Sequence, residues 1–407
     1  MKIIQVTQEW NLPASGNAVV VNEISKELAR RGHEVTVLTG IRKPVSADSI
    51  ASSHFNDTSR REKENDEPES QEGFEVHRYR TDLGFNDYWI SSQLVKKLLT
   101  EPADVFHTHG IRLFHSDATA LASVTRRIPF VITPHLVYPP IYPRNKPMLA
   151  AYDAVAGSIV FRLASRCQAI TRYHADTFRR LGVPEDRIRV IPNGINPERY
   201  FVLPDPSLVR RKYELDGELV TFIGRLNDVK SPPLVHLMEA IKRLQPEYPR
   251  LRLAVIGPDW GYLPRLRTVA KDLGIQDSVL FTGKVTEEEK MTFLSASDIG
   301  AVVSENEAFP ITMLEFMAAG KPVIASRVGA IPWVLKDGSA GLLCDNNPES
   351  MTRILGRILS DKKLAKRMGE EGRRLTQTTY TWSNVVDQLE DTYMECQTTA
   401  ETNPKPA

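Results

Sequence analysis

Residues 2–39 read KIIQVTQEWNLPASGNAVVVNEISKELARRGHEVTVLT, with an apolar run at Ile3–Thr7, a turn of small and polar residues, a helical pattern over Val19–Arg30 and a second apolar run at Glu34–Thr39. Short strand-type runs flanking an amphipathic segment of helix length predict a strand–helix–strand unit with parallel strands. The pattern returns in the second half, where Leu219–Ile223, Leu251–Ile256 and Val279–Thr282 read as strands between helical stretches. Alternation repeated in this way predicts an α/β protein of two doubly wound domains, each a parallel sheet with helices on both faces.

The whole chain fits that reading. It has 407 residues, 52 Lys+Arg against 51 Asp+Glu and 41% hydrophobic residues, with no apolar run of bilayer length. Such a chain is globular and enzyme-sized, and its balanced charge supplies no field to gather nucleic acid. The expected bounds are a first domain over 1–190, a connector over 191–206, a second domain over 207–378, a closing helix over 379–396 and an unstructured tail over 397–407. The connector carries Ile191-Pro192-Asn193-Gly194-Ile195-Asn196-Pro197, then Pro204 and Pro206, and the closing helix carries Val385, Val386, Leu389 and Tyr393 on one face. Residues 43–72 are polar with hardly any large apolar side chain, so they read as a surface insertion unable to offset its ordering entropy. Cys167, Cys344 and Cys396 are odd in number and widely spaced, as unpaired thiols of a reducing compartment would be. Met1 leads straight into a strand, with no basic segment before a removable apolar one, and the expected location is the cytoplasm.

Three stretches carry chemistry. Pro13-Ala14-Ser15-Gly16-Asn17 lies where a strand hands over to a helix, and a helix N-terminus preceded by glycine suits an anion. Gly224-Arg225-Leu226-Asn227-Asp228-Val229-Lys230-Ser231 puts two cations in the turn leaving a parallel strand, where open sheets bind ligands; Arg225 suits forked phosphate contacts and Lys230 adds a point charge. The densest stretch is Ser304-Glu305-Asn306-Glu307-Ala308-Phe309-Pro310-Ile311, continuing to Ser326. Glu307 falls in a loop after strand Ile299–Val303 and Glu315 on the helix Ile311–Ala319, among apolar neighbours. A buried acid needs partners, and sugar hydroxyls are suitable donors.

Glu307 and Glu315 with seven residues between them, the Ala-Phe-Pro turn and Gly320-Lys321-Pro322-Val323-Ile324-Ala325-Ser326 resemble the signature of retaining GT-B glycosyltransferases, glycosyltransferase family 4. The Gly-Arg-Leu turn with Lys230, the Ile-Pro-Asn-Gly-Ile connector and Arg31-Gly32-His33-Glu34-Val35-Thr36-Val37-Leu38 match as well, so the likeness spans about Met1–Tyr393. The resemblance implies a GT-B fold, two Rossmann-like domains facing a central cleft, with the closing helix packed back on the first. It implies transfer of a hexose-type sugar from a UDP- or GDP-sugar to a hydroxyl acceptor with retention. By likeness, Gly224, Arg225 and Lys230 meet the donor diphosphate, Glu315 the ribose and Glu307 the transferred sugar. Ala308, Phe309, Pro310 and Ile311 line the sugar and phosphate, Lys284 lies beside the base, and Gly16 faces the diphosphate from the first domain. The catalytic set implied is Glu307, Arg225, Lys230 and His135. Three positions depart from the pattern, with Ser15 and Ser231 for glycine and Trp333 where an acid often stands.

His107 and His109 end one predicted strand of the first domain and His135 follows another. Each reads either as a packing histidine or as a group at the ligand end of the sheet; His109 stands on the acceptor side, and likeness favours His135 for the sugar. A metal reading of His107-Thr108-His109 lacks a third ligand, and with no Asp-x-Asp sequence present no metal or other cofactor is expected. Residues 112–212 hold 16 Lys+Arg against 7 Asp+Glu, including Arg126, Arg127, Arg144 and Lys146. Interleaved with apolar segments, this stretch suits either a lipid-linked acceptor with peripheral membrane contact or plain solvated helix faces. The rival functions are another GT-B enzyme, a sugar-nucleotide epimerase or phosphorylase, and a non-catalytic nucleotide-sugar-binding protein.

Overall fold

The structure is a computed structural model describing residues 1–8, 10, 16–41, 68–85, 88–135, 152, 157–336 and 338–402. Ser15, Arg144, Lys146 and most of the polar insertion lie outside these residues. The chain forms two compact units, one of Met1–Asn193 with Trp382–Ala407 and one of Gly194–Thr381.

The first unit is built on strands β1 (Lys2–Thr7), β2 (Glu34–Ile41), β3 (Glu69–Gln71), β4 (Phe74–Arg80), β7 (Val105–His109), β8 (Phe130–Thr133), β9 (Arg166–Ala169) and β10 (Ile188–Val190), with a small hairpin of β5 (Leu83–Phe85) and β6 (Tyr88–Ile90) beside them. The sheet order is β10-β9-β8-β7-β1-β2-β4-β3. All pairs are parallel except β3 with β4. Strand β1 is buried from Ile3 to Thr7, as a central strand covered on both faces must be. In helix Gly16–Arg30, Val20, Val21, Ile24 and Leu28 recur at helical spacing and are buried.

Two stretches depart from the expected bounds. The last residues of the insertion form β3, because Glu69–Gln71 pair antiparallel with Phe74–Val76 across a tight turn. The C-terminal helix runs Trp382–Thr402, six residues into the stretch expected to be unstructured. Its continuation follows from tertiary anchors: Glu395 accepts from Arg166 and Arg189, and Cys396 is buried. Further back on this helix, Glu390 accepts from Arg31 and bonds His33 at 2.6 Å, and Asp387 takes Arg31 at 2.6 Å, so the helix belongs to the first unit.

The second unit has β11 (Leu219–Ile223), β12 (Arg252–Ile256), β13 (Val279–Gly283), β14 (Ile299–Val302), β15 (Val323–Ser326) and β16 (Gly341–Cys344), in the order β13-β12-β11-β14-β15-β16 and parallel throughout. Its core packs Val220, Leu234, Leu237, Met238, Leu253, Val255 and Leu355, among others, between sheet and helices. The connector 191–206 straddles the division between the units: Ile195 N–H donates to Tyr380 O at 2.7 Å and Tyr200 is buried, both within the second.

In each sheet the strand order reverses once, between β1 and β7 and between β11 and β14. At such a point neighbouring crossovers leave in opposite directions, and the carboxyl ends of the two strands open onto a crevice. In the second unit the loop after β11 reaches its place because Gly257, at φ 141°, lies against Gly224; a Cβ there would stand 1.9 Å from the Gly224 carbonyl oxygen. Gly257→Ala is expected to destabilise the protein by roughly 1–3 kcal/mol, as overpacking against backbone does. A chemical-denaturation midpoint equal to that of the unsubstituted protein would contradict this.

Candidate active site

The second unit brings Arg225, Lys230 and Glu307 to its reversal point. The β11 strand ends at Ile223, and the following loop is tied by its own polar groups. Asn227 Oδ1 accepts from the N–H of Val229 and of Lys230, at 3.1 and 2.8 Å, while Ser231 Oγ accepts from Asn227 N–H at 3.0 Å. Ser231, where likeness expected glycine, is thus a built part of the turn. Arg225 lies with its guanidinium 4.5 Å from the Trp260 ring centroid and has no carboxylate partner among the described residues.

From β14 the chain enters the loop bearing Glu307, which is clamped by Ser304, Ser326 and Asn346: Ser304 N–H donates to Ser326 Oγ at 3.0 Å, and Asn346 Nδ2 to Ser304 O at 3.0 Å. The Glu307 carbonyl accepts from Ala330 N–H at 3.1 Å, an approach open because residue 329 is glycine; a Cβ there would stand 2.1 Å from that oxygen. The Glu307 carboxylate meets Lys230 Nζ at 3.0 and 3.2 Å, joining the loops after β14 and β11. This pair is half-exposed on the lysine side, so solvent screens it and it rearranges at low cost.

Glu315 lies on helix Ile311–Ala318 and is buried. Its Oε1 accepts from Lys290 Nζ at 2.7 Å and from Tyr200 Oη at 3.4 Å. Burial works against the charge on Lys290, yet Glu315 and Glu287 outweigh it and raise its pKa. Sequence reading missed Lys290, Tyr200 and Trp260. Lys290 follows three glutamates on a helix, which reads as an ordinary solvated face. Of the other expected donor residues, Pro310 has no N–H, leaving Ala308, Phe309 and Ile311 as backbone donors in that turn. Lys284 is exposed just past β13, two strands from β11, and no ion pair or hydrogen bond joins it to the others.

At the reversal point of the first unit stands a buried polar cluster. His109 Nδ1 bonds His135 Nε2 at 2.9 Å, and His109 Nε2 bonds Gln5 Oε1 at 2.5 Å. His107 Nδ1 bonds Tyr393 Oη at 2.7 Å, and His107 Nε2 bonds Thr133 Oγ1 at 2.8 Å. His115 Nε2 donates to the His109 carbonyl at 2.9 Å. His135 adopts a left-handed backbone, φ 55°, which turns the chain as it leaves β8. No group of three or more His, Cys, Asp or Glu among the described residues is disposed to hold a metal ion. All three cysteines are buried and unpaired.

The architecture is that of an α/β protein of two units, each a largely parallel sheet whose strand order reverses. The chain matches the models of two families, Glycosyl transferases group 1 over residues 209–375 and Glycosyltransferase Family 4 over residues 14–199. It belongs to the glycosyltransferase family 4 enzymes, of GT-B fold. The D-inositol 3-phosphate glycosyltransferase of Acidothermus cellulolyticus is 27% identical, over 96% of this chain and 88% of that protein. The Corynebacterium jeikeium protein of the same name is 34% identical over 45% of this chain, and the match spans 46% of that relative's length. Among solved structures, Anabaena Alr3699/HepE in complex with UDP has a TM-score of 0.76 at 18% identity, covering 97% of this chain and 100% of that one. Sucrose-phosphate synthase from Thermosynechococcus elongatus has a TM-score of 0.74 at 19% identity, covering 98% and 99%. No described helix is long and apolar enough to cross a membrane.

Burial holds the histidines of the first unit's cluster below their ordinary pKa of 6.5, His107 and His135 at about 3 and His115 at about 4. A histidine kept neutral in the fold but able to protonate when unfolded contributes stability that is complete above about pH 6.5 and declines as pH falls toward the folded values. Unfolding midpoints are therefore expected to drop between pH 6.5 and 4. The drop should be shallower in His107→Gln, and an identical slope in both proteins would refute the assignment.

Proposed function

We propose that this glycosyltransferase moves a hexose from a UDP- or GDP-linked sugar to a hydroxyl acceptor, with retention at the anomeric carbon and without a metal ion. The observation that carries the reading is Arg225, a guanidinium on an indole face at the sheet's reversal point with no carboxylate partner among the described residues, on the loop that also bears Lys230. Breaking the bond between the anomeric carbon and the diphosphate oxygen leaves negative charge on that oxygen. Arg225 and Lys230 offset it as it develops, and the N–H groups of Ala308, Phe309 and Ile311 add to the same field. When Lys230 turns to the diphosphate, Glu307 accepts hydroxyls of the sugar. Glu315, whose Oε1 holds Lys290 and Tyr200, offers Oε2 to the ribose. Gly16 opens a helix, and a Cβ there would meet nothing within 4 Å among the described residues, which suits approach of a ligand oxygen to the helix N-terminus.

The relatives are named for D-inositol 3-phosphate, which makes a phosphorylated cyclitol the first acceptor to assay. Sugar appearing on the added acceptor is the expected product. Epimerised donor, phosphorolysed donor or donor binding without turnover would each replace this reading by one of its rivals. Arg225→Ala should weaken thermal stabilisation by UDP or GDP far more than by the free nucleoside. Equal losses would contradict the role given to Arg225.

The basic stretch supports peripheral contact with an anionic membrane, through part of the set expected. Arg126 turns inward, its Nη1 donating to the carbonyls of Leu98 and Glu101 at 2.7 Å each. Helices Phe114–Arg126 and Ser158–Leu163 pack side by side and expose Leu121, Val124, Ile159 and Leu163, with Arg162 exposed beside them and Arg127 at the end of the first. The single acid of the two helices, Asp117, is taken by Tyr88 and Tyr152. Each basic residue near such a surface is worth about 1 kcal/mol, close to fivefold in affinity. Reversing Arg127 and Arg162 to Glu should release the full-length protein from anionic vesicles while leaving UDP binding intact. Retention equal to that of the unsubstituted protein would remove this face from consideration.

A further inference from the structure

The buried cluster of the first unit is a one-directional chain of hydrogen bonds, and its direction can be worked out from one end. Gln168 Nε2 donates to the Ile191 carbonyl at 3.1 Å. A carbonyl oxygen only accepts, so the Gln168 amide is oriented, and its Oε1 must accept from Thr133 Oγ1, 2.6 Å away. With its one proton committed, Thr133 Oγ1 accepts from His107 Nε2–H. Neutral His107 then has a bare Nδ1, which accepts from the Tyr393 hydroxyl. Tyr393 has no second proton, so its oxygen accepts from Gln5 Nε2 at 3.4 Å, the longest link. That orients the Gln5 amide and leaves Oε1 to accept from His109 Nε2–H. His109 Nδ1 is therefore bare and accepts from His135 Nε2–H.

Six side chains thus transmit one choice from a backbone carbonyl to His135. That ring makes no other hydrogen bond among the described residues, and His135 keeps 8% of its surface exposed. We propose that Gln5, His109, His107, Tyr393, Thr133 and Gln168 are positioning residues that hold His135 as the neutral Nε2–H tautomer, so that its Nδ1 lone pair accepts a hydrogen bond from a substrate hydroxyl. The proposal rests on the reading of His135 as a sugar contact and adds to it the polarity of that contact: the site selects a hydroxyl and disfavours a group that can only accept. Buried histidines that stay neutral suit this role, since an imidazolium at His109 would turn N–H against the His135 Nε2–H, and one at His135 would leave no lone pair at Nδ1.

The test is long-range proton–nitrogen correlation on the full-length protein labelled with ¹⁵N-histidine, each of its nine histidines assigned by single substitution. At pH 7 the expected pattern for His135 is a protonated Nε2 and a bare Nδ1; the opposite tautomer or an imidazolium overturns the proposal. Tyr393→Phe removes one oxygen and frees the Gln5 amide to turn, and Gln5→Leu removes the acceptor of His109. Both should give His135 a mixture of tautomers, raise KM for UDP-glucose about tenfold or more, and change kcat less. If either folded variant keeps the single tautomer, the chain does not set it. Failure of the functional reading is recognised separately, as a protein that no nucleoside diphosphate stabilises although His135 shows the expected tautomer.

Discussion

Parallel strands whose crossovers depart in opposite directions leave the space beyond their carboxyl ends uncovered, and the chemistry of this protein is placed by that constraint. In the second unit it falls between β11 and β14, and the two loops that leave those strands are joined by Lys230 and Glu307. Nothing in a parallel sheet obliges its loops to carry charge, but a loop at this point has no helix above it and can keep charged side chains solvated while unliganded. The same argument applies in the first unit between β1 and β7, where the residues at the strand ends are Thr7 and His109.

The two sites solve the problem of polar groups at a sheet end differently. The donor-side cluster is charged and partly open: Arg225 rests on Trp260, and Lys230 and Glu307 neutralise each other. An anion that displaces Glu307 from Lys230 exchanges one ion pair for another, which keeps the cost of binding low. The histidine cluster is neutral and buried, with its proton positions set by neighbours. Its members span distant parts of the chain, from Gln5 in the first strand to Tyr393 in the last helix, which makes the C-terminal helix part of the site's support as well as of the first unit's packing.

Close backbone approaches underlie the charged cluster of the second unit, and they explain the positions of particular glycines. Gly257 admits the Gly224 carbonyl, and Gly329 admits that of Glu307. Neither glycine touches the proposed donor, yet each fixes a backbone segment from which a donor-side residue extends. Ser231 and Asn227 serve the same end by hydrogen bonding, which is why serine is accommodated where likeness suggested glycine.

Much of this was legible in the chain itself. The alternation of apolar runs with helical patterns determined two doubly wound sheets, because strand and helix periodicities are local properties. The spacing of Arg225 to Lys230 and of Glu307 to Glu315 marked the segments that bear the candidate site for the same reason. Pairing partners were not legible: that Lys290 and Tyr200 hold Glu315, that Arg126 turns toward Leu98 and Glu101, and that Thr398 lies in a helix all depend on residues far off in sequence. So does the polarity of the histidine chain, since Gln5, Thr133, Gln168 and Tyr393 are unremarkable one at a time. A hydrogen bond's direction is decided by what its neighbours have already donated, and only the folded chain makes those residues neighbours.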